Sequence, residues 1–497
     1  MFPLAVLVCI AAVAVGLLNA QFGRPAVPPR AEPVAVSLTL RGRSLPSGYL
    51  GLSTEYWALE SYAGSVPATP DPVFERLVHN LSPGGAPVLR VGGDSTDKTW
   101  WPVVGLARPA GVNFTLDDTW LSVARAVGST LRARMILGLN LEADSGVLAS
   151  TEATAMVSGL DPVPVEAFEL GNEPSLYPIF PYYRTRDGRK VTGRPSSYNF
   201  DAYLRDFSTI AGQLPAHALA APSAGAPGWL PQLGRLLDAE PRVRIAAVHH
   251  YPLQLCLTKP SSPRYPSLAH LLAPSASTGF AREFAGAVAT AHARHRPLVI
   301  DELNSVSCGA DRPVSQSFAA ALWALDTLFA LDRVGVDGVY MHTFPGAGYE
   351  LFTLRRSAGV WTARISPEYY GLIMFAAAAP AGSRLLAVSS AAGLRLWATL
   401  GSDHRVRVLV INPDPAKDRA VSLAVAGANG AATVERLLAP SLQATSGATL
   451  GGQSFGGDGR LHGTHQVEQA TPVAGRYAVS VPAGSAALVT FDALAIR

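Results

Sequence analysis

The fold of this 497-residue chain is decided by the stretch AFELGNEP, Ala167 to Pro174. An apolar run of the kind found in buried parallel strands ends there on an Asn-Glu pair, and a proline then disfavours its continuation. A second such run, Pro297 to Glu302, also ends on a glutamate. The two runs predict two core strands, each of which delivers a carboxylate to the end of its strand.

Six further apolar runs accompany these two, and amphipathic stretches of helical period separate most of them. Eight buried strands that alternate with helices over residues 47–376 predict a (β/α)8 TIM barrel. An open doubly wound sheet is the competing architecture, but it would need a phosphate-binding glycine loop after its first strand. The eight predicted strands are Tyr49–Thr54, Pro87–Gly92, Arg134–Asn140, Val165–Gly171, Ala218–Ser223, Ile245–Tyr251, Leu298–Glu302 and Gly338–Thr343.

A second domain is predicted at the C-terminus, because the helical period stops after residue 376. Short runs that alternate apolar and polar residues follow, separated by turn-forming gaps, so residues 377–497 are expected to form an antiparallel β-sandwich. Residues 34–46 contain one strand with the same alternation. We expect this strand to join the sandwich, although it precedes the barrel in the chain.

The N-terminus resembles an export signal. Residues 1–20 are apolar and carry no charged side chain, and Leu18-Asn19-Ala20 is a candidate cleavage site. The alternative is a retained membrane anchor, since the apolar run is just long enough to span a bilayer. Residues 21–33 are proline-rich and read as a linker. A secreted protein is expected, or one held at the membrane by this segment alone.

The net charge indicates which class of partner to expect, and the cysteines indicate which pairing an oxidising compartment would allow. Hydrophobic residues make up 48% and charged residues 15%, which is typical of a globular protein, and the net charge of +3 does not favour nucleic acid. Of the three cysteines, Cys9 lies in the export segment. Cys256 and Cys308 remain, and in an oxidising compartment they form either a disulfide or two buried thiols.

Polar side chains follow the predicted barrel strands at the end where TIM-barrel enzymes place their catalytic groups. The pair His249-His250 suggests a metal site, but no third ligand at metal spacing accompanies it, so neither a metal nor another cofactor is expected. Two carboxylates together with amides and aromatic rings at one rim are the groups that a sugar site needs. The rim residues include Arg90, Asn140, Asn172, Glu173, His249, Tyr251, Glu302 and His342.

These residues match a known pattern. Gly171-Asn-Glu-Pro174 resembles the acid/base strand of the retaining clan A glycoside hydrolases, and Ile300-Asp-Glu-Leu-Asn304 resembles their nucleophile strand. The wider pattern looks like glycoside hydrolase family 79, the family of heparanase and β-glucuronidases. The stretches that carry it are Leu89-Arg-Val-Gly-Gly-Asp94, Leu170–Pro174, Val248-His-His-Tyr-Pro252 and Pro367-Glu-Tyr-Tyr-Gly371, with a C-terminal β-domain.

The resemblance implies roles for the residues of the catalytic centre. Glu173 would be the general acid/base and Glu302 the nucleophile, about 5–5.5 Å apart as retention requires. Asn172 would bind the sugar's 2-hydroxyl. Arg90 and Tyr251 would keep Glu302 ionised, with His249 as a further supporting residue.

A receptor for the substrate's carboxylate is implied as well. In the resembling family, backbone amides of a glycine-rich loop and a tyrosine hydroxyl hold it, and neutral donors add no positive charge beside the developing oxocarbenium ion. The matching positions are Gly346, Ala347, Gly348 and Tyr369, with Tyr349 as an additional candidate. Further substrate contacts are expected from Glu55, Asp94 and Asn140.

The expected activity is exo-acting removal of terminal β-glucuronic acid, with or without a 4-O-methyl group. A heparanase-like endo enzyme is less favoured because the basic clusters that flank its cleft have no clear counterpart. Two other readings stay open: a clan A enzyme for β-xylosides, β-glucosides or arabinofuranosides, and a catalytically silent carbohydrate-binding surface protein. The expected partner is a carbohydrate with a terminal uronic acid.

Overall fold

The computed structural model describes residues 30–225 and 227–493. The export segment predicted for residues 1–20, and most of the linker after it, lie outside these ranges. Within them, no helix combines the length and the apolar character that crossing a membrane requires.

Eight parallel strands close into a barrel in chain order, which confirms the predicted fold class. Their ends differ from the predicted ones by no more than two residues. Nearly every residue in them is buried, because the barrel's inner packing covers one face and the surrounding helices cover the other. The first to eighth barrel strands are Leu50–Glu55, Val88–Gly92, Arg134–Leu139, Val165–Leu170, Leu219–Ala224, Val243–His249, Leu298–Leu303 and Gly338–His342.

Several helices are preceded by a residue whose side chain accepts a hydrogen bond from a free backbone amide of the first turn. Asp71 accepts a hydrogen bond from the amide of Val73 ahead of a helix that starts on Pro72, and Asp117 accepts one from Trp120. The α-helices are Tyr56–Ala63, Pro72–Leu81, Asp118–Leu131, Gly146–Leu160, Phe200–Ala211, Leu233–Ala239, Leu268–Leu271, Thr278–Arg282, Ala285–His292, Arg312–Ser315, Phe318–Val334 and Pro367–Ala378. Short 3-10 helices are Gly93–Lys98, Pro174–Leu176, Pro227–Gln232 and Pro274–Ala276.

The second domain is one ten-stranded sheet with an apolar core of its own. The N-terminal strand Glu32–Arg41 belongs to it, as expected, and pairs antiparallel with Arg384–Val388 and parallel with Arg419–Val425. The strands of this sheet are Glu32–Arg41, Arg384–Val388, Arg395–Leu400, Val406–Asn412, Arg419–Val425, Ala432–Leu438, Thr449–Leu450, Glu468–Ala470, Tyr477–Val481 and Ser485–Phe491.

Small two-stranded sheets shape the connecting segments. One joins Leu253–Gln254 to Val306–Ser307 and so links the segments after the sixth and seventh barrel strands. The others pair Thr99–Trp100 with Phe114–Thr115, Pro181–Arg184 with Lys190–Thr192, Phe352–Ser357 with Val360–Ile365, and Ser454–Phe455 with Leu461–His462.

Two helices connect the barrel to the sheet domain. Phe318–Val334 is buried over almost its whole length and packs against Pro367–Ala378. The indole of Trp397, in the sheet domain, donates a hydrogen bond of 2.8 Å to Asp326 on the first of these helices. A single apolar cluster includes both helices, the outer face of the barrel and one face of the sheet.

The barrel interior is layered, and the layering positions the site. An apolar layer lies across the barrel, and it includes Val88, Ala167, Ala247 and Val299. Since side chains alternate along a strand, the residues two positions further on point into the same interior. They are Arg90, Glu169, His249 and Asp301, which form a polar layer above an apolar floor, at the mouth where the strands end.

Candidate active site

The carboxylates of Glu173 and Glu302 meet at the mouth of the barrel. One oxygen of each lies within 4.8 Å of the other and of a ring nitrogen of His249. Glu173 directly follows the fourth strand, and Glu302 lies in the seventh. Two carboxylates at this separation have the geometry of a double-displacement glycosidase, in which the carboxyl groups are about 5–5.5 Å apart.

A local irregularity turns Glu302 into the mouth. The register of the seventh strand shifts between Ile300 and Leu303 against the eighth strand, and its pairing with the sixth strand shifts at His249. Strict alternation would send Asp301 and Glu302 to opposite faces of the strand, whereas a bulge re-aims a side chain at one point. Both carboxylates consequently lie in the buried centre, together with His249.

Glu173 is held in an uncommon backbone conformation. Its φ and ψ are both 49°, in the left-handed region that non-glycine residues rarely adopt, and its amide donates to the carbonyl of Ser223 at 3.0 Å. A Cβ atom at Gly225 would come within 2.4–2.6 Å of the Glu173 carboxyl group, so a side chain at that position would displace the carboxyl group. Backbone strain of this kind persists where the surrounding structure enforces it, often at functional sites.

Arg90 is the central cation of the site and is completely buried. Its guanidinium donates to both oxygens of Glu169 at 2.7 and 2.8 Å and to Glu302 at 2.7 Å. It also donates to the side-chain oxygen of Asn172 at 2.8 Å. That last bond fixes the Asn172 amide, whose nitrogen donates to no acceptor within the described residues and is free for a ligand.

Glu302 is kept ionised by its neighbours. Tyr251 donates its hydroxyl to one oxygen at 2.9 Å, and the other lies 3.9 Å from His342. Burial by itself would raise the pKa of Glu302, but the positive charges of His342, His249 and Arg90 outweigh it and hold this pKa well below its usual range. The structure thus places Arg90 and Tyr251 on the carboxylate for which the sequence analysis selected them.

His249 bridges the catalytic pair and a buried acidic pair. Its Nε2 lies 3.0 Å from Glu169 and 3.4 Å from Asp301, and its Nδ1 lies 3.5 Å from Glu173. Burial opposes the ionisation of both acids, but Arg90 and His249 lower the pKa of Glu169 to about 2. Asp301, whose oxygens have no hydrogen-bond partner among the described residues, has its pKa raised to about 7 by burial and by the charge of Glu169. Near neutral pH, Glu169 is therefore ionised and Asp301 is protonated in part.

Two groups of side chains in this centre have the right donors for a metal ion, Glu169–His249–Asp301 and Glu173–His249–Glu302. In each group Arg90 already donates to one of the carboxylates, at 2.7 Å or slightly more. A fixed positive charge at that position repels a second cation. The arrangement suits carboxylate chemistry better than metal binding.

Asp97 connects the loops around Glu173. One of its oxygens accepts the amides of Leu141 and Glu142 at 2.9 and 3.0 Å, and the other accepts the amide of Asn172 and the hydroxyl of Tyr177. Burial raises the pKa of Asp97 above its usual value, and these donors offset only part of that rise. A single carboxylate thus connects the segments after the second, third and fourth strands.

Two residues expected to bind substrate have structural roles instead. Asn140 is fully buried, its amide nitrogen donates to the carbonyls of Asp97 and Thr99, and its oxygen accepts from Ala143, so this prediction is wrong. Glu55 lies at the rim, but its oxygens accept the amides of Asp94 and Ser95 at 3.1 and 2.8 Å. It holds the loop after the second strand and is not free to bind sugar.

Tyr369 was also assigned wrongly. It lies on the helix between barrel and sheet, is fully buried, and donates its hydroxyl to the carbonyl of Leu77 at 2.7 Å. Its ring packs against Phe455 of the C-terminal domain. The tyrosine adjacent to the catalytic centre is Tyr349, whose ring lies 6.0 Å from that of Tyr251 and 6.0 Å from that of His342.

The loop after the eighth strand, Phe344–Tyr349, offers part of the predicted carboxylate receptor. The amide of Ala347 is not available, because it donates to the carbonyl of Phe344 at 3.1 Å and closes a turn. The carbonyl of Gly346 accepts from Arg312. Across residues 30–225 and 227–493, no hydrogen-bond acceptor is found for the amides of Gly348 and Tyr349. Of the loop positions predicted to hold the carboxylate, Gly348 and Tyr349 therefore keep backbone amides that are unpaired within the described residues.

Asp94 remains an exposed carboxylate in the cleft, on the 3-10 helix after the second strand. The protein around it displaces water, and Glu55, Glu173 and Glu302 add negative charge, so that its pKa rises to about 7. The carboxyl group is therefore protonated in part near neutral pH. Of the predicted substrate-binding residues in the cleft, Asp94 retains a side chain open to a ligand.

Sequence reasoning missed Glu169, Asp301 and Asp97. The signal for the first two was a charge inside an otherwise apolar strand, at a position where burial without a partner would be costly. Asp97 had no such signal, because it lies in a polar run. Cys256 and Cys308, which the sequence left either paired or free, form a disulfide in the structure and connect the loops after the sixth and seventh strands.

Known proteins resemble this chain in its C-terminal domain and over most of its length. Residues 396–488 match the family model described as the glycosyl hydrolase family 79 C-terminal beta domain. A β-glucuronidase of Neurospora crassa is 24% identical, and the match covers 76% of this chain and 74% of that protein.

Solved structures agree on the architecture. A 4-O-α-L-rhamnosyl-β-D-glucuronidase from Fusarium oxysporum, in complex with Rha-GlcA, superposes with a TM-score of 0.71 at 21% identity, over 92% of this chain and all of that one. An α-L-arabinofuranosidase from Thermotoga maritima has a TM-score of 0.63 at 14% identity, over 93% and 99%. The match of the C-terminal domain, the curated relative and the shared fold agree with the residue pattern and support a glycoside hydrolase of family 79.

Proposed function

We propose that this protein is a retaining exo-β-glucuronidase that removes terminal β-glucuronic acid from glycans or glycoconjugates. The observation that carries the proposal is the pair of carboxylate oxygens of Glu173 and Glu302 within 4.8 Å of each other, with Glu302 held ionised. The relatives from Neurospora crassa and Fusarium oxysporum, both named as glucuronidases, support the same substrate class.

The chemistry proceeds in two displacements. Glu302 attacks the anomeric carbon and forms an ester, while the glycosidic C–O bond breaks and Glu173 gives its proton to the leaving oxygen. Water then attacks the anomeric carbon, passes a proton to Glu173, and releases Glu302 as a carboxylate. The free amide nitrogen of Asn172 is placed to bind the 2-hydroxyl, an interaction that strengthens in the transition state.

The substrate's own carboxylate would bind to the amides of Gly348 and Tyr349. Both amides lack an acceptor in the described part of the chain, and amides are neutral donors that hold an anion without adding a full charge. Arg90 is excluded from this role because it is fully buried and already bonded to two carboxylates. The uronate preference therefore depends on the loop after the eighth strand.

Action outside the cell is part of the proposal. The apolar segment at residues 1–20 supports export, with cleavage after Ala20 or retention as an anchor, and the Cys256–Cys308 disulfide suits an oxidising compartment. N-terminal sequencing of the exported protein tests this point. A mature chain that begins within a few residues of Gln21 is expected, whereas an intact Met1 on membrane-bound protein would establish an anchor.

A substrate panel tests the activity. The 4-nitrophenyl β-glucuronide, β-glucoside and β-xyloside share a leaving group and an anomeric configuration, and they differ at C5. We expect kcat/KM to be at least about a hundredfold higher for the glucuronide, since loss of hydrogen bonds to a charged group leaves buried donors unpaired. Proton NMR of the first-formed sugar should show the β-anomer. Equal rates on the neutral sugars would refute the proposal.

Site variants test the catalytic pair. Glu302→Gln should abolish turnover while leaving the fold intact, because the amide cannot form the ester. Glu166→Gln is a matched control on the fourth strand, where the carboxylate pairs with Arg134 and lies outside the site. Turnover by Glu302→Gln close to that of the control would rule out Glu302 as nucleophile.

A further inference from the structure

The segment after the seventh barrel strand packs directly against the loop proposed to receive the uronate. We name residues 306–312 the brace. Three successive residues of the brace, Cys308, Gly309 and Ala310, have φ values of 65°, 89° and 66°. Positive φ values are unfavourable for residues that carry a side chain, as Cys308 and Ala310 do. Contacts with other segments must therefore hold the brace in this conformation.

The brace contacts the loop through backbone and side chain. Ala310 belongs to a small apolar cluster with Tyr251, Ala347 and Tyr349. A Cβ atom at Gly348 would come within 2.6 Å of the Cβ of Ala310 and 3.0 Å of the carbonyl oxygen of Gly309. Gly348 thus lies against the brace with no room for a side chain, and its position depends on where the brace lies.

Arg312 fixes the other end of the contact. Its Nη2 donates to the carbonyl of Gly346 at 2.7 Å, although the side chain is exposed. Asn304, just before the brace, is fully buried and donates to the carbonyl of His342 at 2.9 Å. The segment from 304 to 312 therefore contacts the eighth strand's end and its loop at several points.

The disulfide anchors the brace to a second loop. Cys308 is bonded to Cys256, and Val306–Ser307 pairs with Leu253–Gln254 in a short parallel ladder. This ladder follows Tyr251, which donates to the nucleophile. One covalent bond thus connects a segment that supports Glu302 to a segment that supports the proposed uronate receptor.

We propose that the Cys256–Cys308 disulfide and Arg312 are positioning residues that set the affinity of the enzyme for the uronate group. The proposal rests on the glucuronidase function above. Neither residue touches the reacting atoms. Loss of either one lets the Phe344–Tyr349 loop move away from the substrate's carboxylate, while Glu302 keeps its place in the seventh barrel strand and Glu173 its place after the fourth.

The first test is a split between binding and turnover. Cys256→Ser/Cys308→Ser and Arg312→Ala should each raise KM for the 4-nitrophenyl β-glucuronide about tenfold, the equivalent of one weakened bond to a charged group. The inhibition constant of D-glucuronic acid should rise equally, and kcat should stay within about twofold. Arg355→Ala, which removes an exposed cation from the hairpin Phe352–Ser357, is the matched control and should change neither constant.

A second test uses the contact between Gly348 and the brace. Gly348→Ala alone should raise KM, because its methyl group overlaps that of Ala310. Adding Ala310→Gly removes the overlapping atom and should restore part of the affinity. A general loss of stability would not be repaired by a second substitution that removes further packing, so the rescue separates positioning from damage.

The outcomes separate the two proposals. If the native enzyme prefers the β-xyloside, which lacks the carboxylate, the glucuronidase proposal and this one both fail. If it prefers the glucuronide but the disulfide and Arg312 variants leave KM unchanged, only the brace is refuted. A fall in kcat at constant KM would likewise overturn it. Dithiothreitol should reproduce the KM increase in the native enzyme, since Cys308 is exposed, and reoxidation should reverse it.

Discussion

Arg90→Met is the substitution that tests the interior charge arrangement most directly. It keeps an unbranched apolar stem and removes a guanidinium that is fully buried and bonded to Glu169, Glu302 and Asn172. Breaking a buried ion pair by deleting one partner costs about 3–5 kcal/mol, because the other charge stays buried. Glu169 has no exposure at all and would keep His249 as its remaining cation.

The size of the effect follows from the pKa of Glu169. It lies near 2 in the folded protein and would be about 4.3 in the unfolded chain, a difference worth about 3 kcal/mol. Because the folded pKa is depressed, this stabilisation is present above the unfolded pKa and disappears as the pH falls through 2. In the variant the carboxyl group gains a proton more easily, so the loss of stability should be larger at pH 7 than at pH 4.5.

Urea denaturation at both pH values measures the loss, with Arg134→Met as the matched control. Arg134 also pairs with a glutamate of the fourth strand, but its side chain is 35% exposed, and an exposed pair contributes less than about 1 kcal/mol. If Arg90→Met does not fold, Arg90→Lys keeps one charge and should show a smaller loss with the same pH trend. Equal denaturation midpoints for Arg90→Met and Arg134→Met at pH 7 would refute the reasoning.

Three further predictions use residues whose environment is equally specific. Asp332→Asn should stabilise the protein more at pH 8 than at pH 5, by up to about 3 kcal/mol and with unchanged kinetics. Burial raises the pKa of Asp332 to about 7, and its ionisation opposes folding as the pH rises; thermal unfolding at both pH values checks this. Asp94→Asn should move the basic limb of kcat/KM for the glucuronide above pH 7, where ionised Asp94 repels an anionic substrate; a pH–rate profile that keeps its limb would exclude that role. Tyr369→Phe should cost about 1 kcal/mol of stability, for the lost bond to Leu77, and leave KM unchanged, whereas Tyr251→Phe should lower kcat in the same assay.

The barrel, the sheet domain and the two glutamates could be predicted because their signals are local. Apolar runs separated by amphipathic helices define the strands, and Glu173 and Glu302 each end such a run. Asn140 ends a strand in the same way, yet the structure uses its amide to hold a loop. A position at a strand end predicts that the side chain reaches the rim. It does not predict which groups form hydrogen bonds with that side chain there.

Tyr369 shows a different limit. Its role was inferred from the motif Pro367–Gly371, but whether the helix Pro367–Ala378 faces the barrel mouth or the second domain depends on packing between distant segments. Phe455, whose ring meets that of Tyr369, lies 86 residues further along the chain. Glu169 and Asp301 were missed for the same reason, since the meaning of a charge inside an apolar strand depends on Arg90, which comes from another strand.

The placement of the positive charges explains how a chain with a net charge of only +3 can bind an anionic sugar. Arg90, His249 and His342 are all buried, and each faces acidic side chains of the centre. These charges hold Glu302 ionised. A substrate carboxylate bound to any of them would weaken their effect on the pKa of Glu302. An anionic substrate must therefore be recognised at a place where donors are neutral and unoccupied, and the amides of Gly348 and Tyr349 meet both conditions. Recognition by amides depends on geometry more than on charge, which is why the support of that loop by the brace matters for specificity.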